Sequence, residues 1–472
     1  MRNDWSGQGF PHPEGRRRFV GDVAGLDPRT ALQSIMARGQ GLGPIFEAQV
    51  FRQKFVFVAG AELCAELCDE SRFVKALPPA LVALRDFAGD GLFTAYNDEA
   101  NWRLAHDLLM PAFSKPSMQR YHGVMLEAVS ELFAVLPADE PFDVAALMTK
   151  LTMETISRAA FSHDFGSFTR AETHPFVPAM VTALESGRRI GAISSLPGSG
   201  IVRRRLRRRN AAQLAYVDDL LDDLISRRRA DVERGELGPP DLLRIMLEQG
   251  HPETGEKLDD EAIRYQILTF LVAGHETTSG ALSLALYFLS KHPHVLAAAQ
   301  AETDAILGAD PDAEPTFEQV PHFRYLRRVL DETLRLWPTA PAFARSPRET
   351  TTFAGRTMRP QDWALVVIPM VHRDPAVWGD DADEFDPDRF LPERSRGRMP
   401  HTYKPFGTGE RACIGRQFAL HEAVLVLARL VHRYDLAGDP DYDLRVTERL
   451  TLMPEGFRLS LRLRTPAPAP TC

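Results

Sequence analysis

Residues 406–415 read FGTGERACIG, a stretch that leaves the backbone few options. Gly407, Gly409 and Gly415 permit positive φ and close approach to a bulky planar partner, and Cys413 stands just before an apolar run, 417–430, with helical spacing. The chain is therefore expected to turn tightly and deliver one thiol to a helix start. Unpaired N–H groups and the positive end of the helix dipole there favour a thiolate over a thiol. Arg411, two residues back, adds a cation. A thiolate held this way attacks an electrophile or ligates a metal. A buried structural cysteine, the usual fate of a lone cysteine, is the plain alternative.

The longest expected element is a helix over 259–292, capped by Asp259 or Asp260 and ended by Pro293. At 1.5 Å per residue it runs roughly 50 Å, enough to cross a whole domain. Its centre, AGHETT at 273–278, places a glycine, a carboxylate and two β-branched hydroxyl residues inside an apolar run. All are locally unfavourable there, and such a breach often marks function.

The loop at 406–415 fits F-x-x-G-x-R-x-C-x-G at every fixed position and thereby resembles the cytochrome P-450 haem-thiolate family. The resemblance implies a mainly α fold with small β-sheets, with haem b between the long central helix and the cysteine-loop helix. It implies Cys413 as the axial ligand to iron, with Phe406 packed near the sulfur. A thiolate in that place pushes electron density onto iron and favours O–O cleavage, as in haem-thiolate proteins generally. Ala273 and Gly274 would leave room for dioxygen, and the Thr277 hydroxyl would bond a helix carbonyl. Glu276, exchanging protons with solvent, would complete an acid–alcohol relay with Thr277. Trp102 and His106, one helical turn apart, are expected at the haem propionates with Arg345, Arg411 and Lys75, because two carboxylates on a buried cofactor need cationic or hydrogen-bonding partners. Glu332 and Arg335 fit an E-x-x-R motif and, with Arg389, would form a structural charge network bracing the cysteine loop, its glutamate held ionised.

The segments CDESRF, RDFAGDGLFT, LVAGHETTSG, LRLWPTAPAF and ACIGRQFALHEA resemble more narrowly the haem domain of bacterial self-sufficient fatty-acid hydroxylases. That resemblance carries across an apolar pocket of Leu81, Leu84, Ala88, Phe93, Met180, Leu184, Ala340 and Leu450, suited to an alkyl chain. It implies hydroxylation of medium- or long-chain fatty acids at subterminal positions, using O2 and electrons from NAD(P)H through a reductase. Two features depart from it. The hairpin positions where those relatives hold the carboxylate with arginine and tyrosine fall on Gln53 and Phe57, leaving Arg52, Lys54 or the arginines of 203–209 as substitutes. Those arginines are explained equally by a solvated helix start. The chain also ends at LRTPAPAPTC with no flavin reductase after it, so a separate ferredoxin or flavodoxin with its reductase is expected, or a domain cut from a fusion. Arg103, Lys115, Lys404 and Arg416 would offer such a partner a cationic face.

No linker divides the 472 residues, so one domain is expected over 1–472, with a polar segment at 1–25 and a Pro/Ala-rich tail at 464–472. A net charge of −8 argues against nucleic-acid binding. Four cysteines without framework spacing, no signal peptide and no long uncharged apolar run point to a reduced, cytoplasmic protein with no membrane anchor. Locally, helices are expected over 28–38, 61–68 and 81–87, strands over 45–50 and 55–59, and a flexible lid over 190–202. A terpenoid or polyketide oxidase is the alternative within the enzyme class. A haem sensor or electron carrier is the alternative outside it.

Overall fold

The computed structural model describes residues 9–23, 26–27, 29–51, 53–137, 140–193, 198–236, 238 and 240–464, with backbone alone at 192 and 193. It is mainly helical, and the largest sheet has five strands. The central helix, Asp260–Lys291, begins where the Asp259 carboxylate accepts the Ala262 N–H at 2.7 Å, and it stops one residue short of Pro293. Most of its length is buried, because it is apolar nearly all round. Around it pack the helices Val144–Phe161, Arg324–Leu336 and Arg416–Arg433.

The five-stranded sheet runs in the order Ile45–Val50, Gln53–Val58, Ala364–Val367, Ala342–Pro347, Phe73–Ala76. It therefore brings residue 75 beside residue 345: Lys75 is the register partner of Arg345. The second strand starts two residues earlier than the apolar pattern suggests, since Val50 pairs with Gln53 directly after Phe51 takes φ 53°. The helices expected near 28–38, 61–68 and 81–87 are Ala31–Gly39, Ala61–Leu67 and Pro79–Ala88. The stretch expected as a lid over 190–202 is partly helical: Phe176–Ile193 reaches into it and Ser199–Arg209 leads out of it. Arg52, residues 194–197 and nearly all of the Pro/Ala-rich tail lie outside the described residues. Among the described residues no helix is long and apolar enough to cross a membrane.

Candidate active site

The cysteine loop is clamped from two sides. Gly407 and Gly409 adopt φ of 69° and 70°, which only glycine takes freely. A Cβ on Gly409 would lie inside the Glu70 carboxylate, which accepts the Glu410 N–H at 3.0 Å. The Cys413 N–H donates to the Phe406 carbonyl at 2.9 Å, closing the loop just before the helix Arg416–Arg433. Although Cys413 keeps accessible surface, the protein packed around its sulfur pushes the thiol up, while the Gly415 N–H and the Arg416 charge pull it down.

Beneath the loop lies a charge network that the E-x-x-R motif only begins to describe. Arg335, fully buried, is bidentate to Glu332 at 2.6 and 2.7 Å and donates to the carbonyls of His372 and Glu384 at 2.9 and 3.0 Å. Arg389 reaches Glu332 at 3.4 Å, yet most of its contacts go to Asp381 and to the Trp378 carbonyl. Burial pushes the Glu332 carboxyl up, and the hydrogen bonds and charges of Arg335 and then Arg389 oppose that rise. What connects the network to the loop is His372, which the sequence did not mark. Burial lowers it to about 3, so it is neutral. Its Nδ1 lies 3.0 Å from the Arg335 carbonyl and its Nε2 accepts the Lys404 N–H at 2.9 Å, which places its one proton on Nδ1. Tyr403 adds a second tie through its hydroxyl to Asp331 at 3.0 Å.

On the central helix the Thr277 hydroxyl donates to the Ala273 carbonyl at 2.7 Å, as its position suggested. Two neighbours behave otherwise. Gly274 faces the helix Val144–Phe161, where a Cβ would stand 2.6 Å from Ile156 Cγ1, so its small size serves helix packing rather than space for dioxygen. Glu276 is buried, its carboxyl pushed up by that burial, and it does not meet bulk solvent directly.

Thr277, Ala273 and Glu276 line a cavity of about 940 Å³ whose walls are mostly apolar. Leu81, Leu84, Ala88, Phe93, Leu184, Ala340 and Leu450 line it as expected. Met180 does not; it is wholly buried in the helical core. Phe57, one of the two positions expected to hold a carboxylate, lines the wall, and Gln53 is buried in its strand away from the lining. The substitutes offered by the sequence are also elsewhere: Lys54 pairs with Glu47 at 3.5 Å, Arg203 pairs with Asp86, and only Val202 and Leu206 of their helix touch the cavity. Its cationic lining comes instead from Arg29, Arg188, Arg189 and Arg449.

The family model for cytochrome P-450 matches residues 11–461. The chain belongs to the cytochrome P-450 family. It is 43% identical over 450 residues to bifunctional cytochrome P-450/NADPH–P-450 reductase 1 of Bacillus subtilis, covering 94% of this chain and 41% of that protein. A bifunctional cytochrome P-450/NADPH–P-450 reductase of Bacillus cereus is 42% identical over 448 residues, with 94% and 41% covered. A self-sufficient cytochrome P-450 monooxygenase of Penicillium camemberti is 40% identical over 452 residues, with 94% and 42% covered. The chain thus spans about two fifths of the length of these curated relatives.

Cytochromes P-450 carry haem, and the residues present fit it. Lys75, Arg345 and Arg411 crowd together: burial and the charges of Arg411 and Arg345 push Lys75 well below its ordinary value, and burial with Arg345 lowers Arg411 to about 10. Arg345 is buried with its Nε unpartnered among the described residues. Three mutually repelling cations of this kind fit two propionate carboxylates. Trp102 and His106 stack at 5.1 Å, with Arg411 over Trp102 at 4.5 Å, so they flank the same cluster. His106 is also 3.1 Å from Asp107, a partner not foreseen.

Proposed function

We propose that this chain is the haem domain of a monooxygenase that inserts one oxygen atom of O2 into subterminal C–H bonds of medium- or long-chain fatty acids. The cavity carries this reading: it is large, apolar, and walled on one side by Ala273 and Thr277. Cys413 would hold haem through its sulfur and Lys75, Arg345 and Arg411 would answer its carboxylates, and the bound group would supply the activation of O2. The remaining work falls to side chains. Leu81, Leu84, Leu184 and Leu450 bind and orient the alkyl chain and exclude water. Thr277 holds its hydroxyl at the cavity wall, and Glu276 passes protons to it. With the hairpin anchor absent, Arg188 and Arg189 receive the substrate carboxylate, Arg189 exchanging its 3.5 Å pair with Glu185, since both line the cavity on the helix that also carries Leu184.

Electrons come from NAD(P)H through a reductase, fused as in the relatives named above or supplied in trans with ferredoxin or flavodoxin. Arg103 of the expected docking face pairs with Glu410 at 3.2 Å, which leaves that face less cationic than the sequence suggests. A terpenoid or polyketide oxidase is the second reading, and Phe57 at the anchor position favours it. An electron carrier would have no use for Thr277 and Glu276.

Optical titration of the ferric holoprotein with saturated fatty acids of increasing length tests the reading. The expected result is a saturable low-to-high-spin shift that tightens with chain length. It should weaken in the Arg188→Gln/Arg189→Gln variant for acids but not for the matching alcohols. No shift at any length would turn the assignment to the biosynthetic oxidase.

A further inference from the structure

Arg449 belongs to no motif in the sequence, yet it is placed where the proton relay meets the cavity. It sits in the turn between the strands Val446–Glu448 and Leu452–Pro454, whose register pairs Glu448 with Leu452. That hairpin is pinned at both ends. Glu448 accepts the Leu32 and Gln33 N–H groups at 2.8 and 2.7 Å, capping the helix Ala31–Gly39. On the other side the Leu452 carbonyl presses on Gly280, where a Cβ would stand 2.6 Å away, and the Leu452 N–H donates to the Thr339 carbonyl at 2.9 Å. Gly280 lies four residues after Glu276, on the same face of the central helix. The turn is thereby held over Glu276.

The Glu276 carboxyl is buried, and neither oxygen makes a hydrogen bond of good geometry among the described residues, the Thr451 hydroxyl lying only close enough to pull the carboxyl down. Such a group inside a packed core is costly unless something answers it. Arg449 Nη1 lies 4.0 Å from Glu276 Oε1, and no other cation among the described residues comes within that distance. The Arg449 side chain is 35% exposed against 2% for that of Glu276, so the guanidinium spans from accessible cavity to buried acid.

We propose that Arg449 is a positioning residue for Glu276: from the hairpin turn it holds the carboxyl toward the cavity wall, and protons destined for Thr277 enter past its guanidinium. The inference rests on the monooxygenase reading above. Burial raises the Glu276 carboxyl, and Arg449 foremost, then Thr451, oppose that rise. The buried carboxylates of the packed helices and the neighbouring histidine are neutral or paired. His275 is neutral, lowered to about 4 by burial. Glu154 of the helix Val144–Phe161 pairs with Arg158, and Glu332 of Arg324–Leu336 with Arg335. Glu422 of the cysteine helix is pushed up to about 8 by burial and is uncharged below that pH. Removing the Arg449 charge must therefore raise Glu276 further and keep it protonated to higher pH.

The test is an infrared difference titration of the ferric holoprotein without substrate, with the Glu276 carboxyl band assigned as the one missing from E276Q. In R449L that band is expected to persist to a pH about one unit higher than in the wild type, the low end for a carboxylate losing a partly exposed arginine. R449K should restore the wild-type titration. In turnover, R449L should release more hydrogen peroxide per NADPH, and R449K should recover coupling. Coincident titrations in wild type and R449L overturn the proposal, as does an R449K that behaves like R449L, or the absence of any E276Q-sensitive band in both proteins. Because the infrared readout needs neither substrate nor reductase, a shifted band in a protein that hydroxylates no fatty acid would uphold Arg449 and discard the proposed function instead.

Discussion

Replacing Arg335 with leucine is expected to remove about 3–5 kcal/mol of stability, a large part of what a domain of this kind possesses. The reason is the orphan it creates. Glu332 is fully buried and bonded to Arg335 through both oxygens, with the Asp386 N–H at 2.9 Å its other close donor. Loss of the guanidinium also releases the carbonyls of His372 and Glu384. The damage then spreads to the cysteine loop, because His372 takes its orientation from the Arg335 carbonyl and holds the Lys404 N–H. Denaturant unfolding and haem content of the purified protein should therefore fall together. Arg335→Lys should rescue little, since an ammonium cannot reproduce the bidentate fork. The double variant Glu332→Met/Arg335→Met should recover part of the loss by removing both buried charges. An Arg335→Leu protein within about 1 kcal/mol of the wild type would contradict the bracing role.

Thr277→Ala and Glu276→Gln are expected to cut hydroxylation by about 10²–10⁴-fold, the usual worth of a positioned acid or base. Consumption of NADPH should decline far less, with hydrogen peroxide taking the place of product. Thr277 is held by one bond, to the Ala273 carbonyl at 2.7 Å, so alanine there removes the hydroxyl without exposing a buried group. Glutamine at 276 keeps the volume of a buried side chain and deletes only its acidity. The two changes act on one relay, so the double variant should be little worse than either single one. Coupled turnover in both single variants would show that protons reach the oxygen by another path.

Much of this was legible in the sequence because covalent pattern dictated it. The cysteine loop needs glycines at Gly407 and Gly409, and the central helix needs its Asp259 cap and long apolar run, so motif and structure coincide there. Where the reading failed, the deciding contact was tertiary. Gly274 looked like room for a ligand, but its open side is filled by Ile156 from a helix more than a hundred residues earlier. Met180 has the chemistry of a pocket residue and points into the core. Glu276 looked able to reach water until the hairpin bearing Arg449 closed over it. His372 could not have been found from sequence, because its importance lies in two backbone groups it bridges. Arg188 and Arg189 were overlooked for the denser arginine run after them, whose helix turns only Val202 and Leu206 toward the cavity.

The most direct measurement of the central claim is turnover of dodecanoate and hexadecanoate under isotopically labelled O2, with NADPH and a surrogate reductase, followed by mass spectrometry of the products. The account predicts subterminal hydroxy acids carrying one labelled oxygen atom, formed by the wild type and lost in Cys413→Ser. Unlabelled product, or no oxidised fatty acid from a protein that binds haem through Cys413, would contradict it.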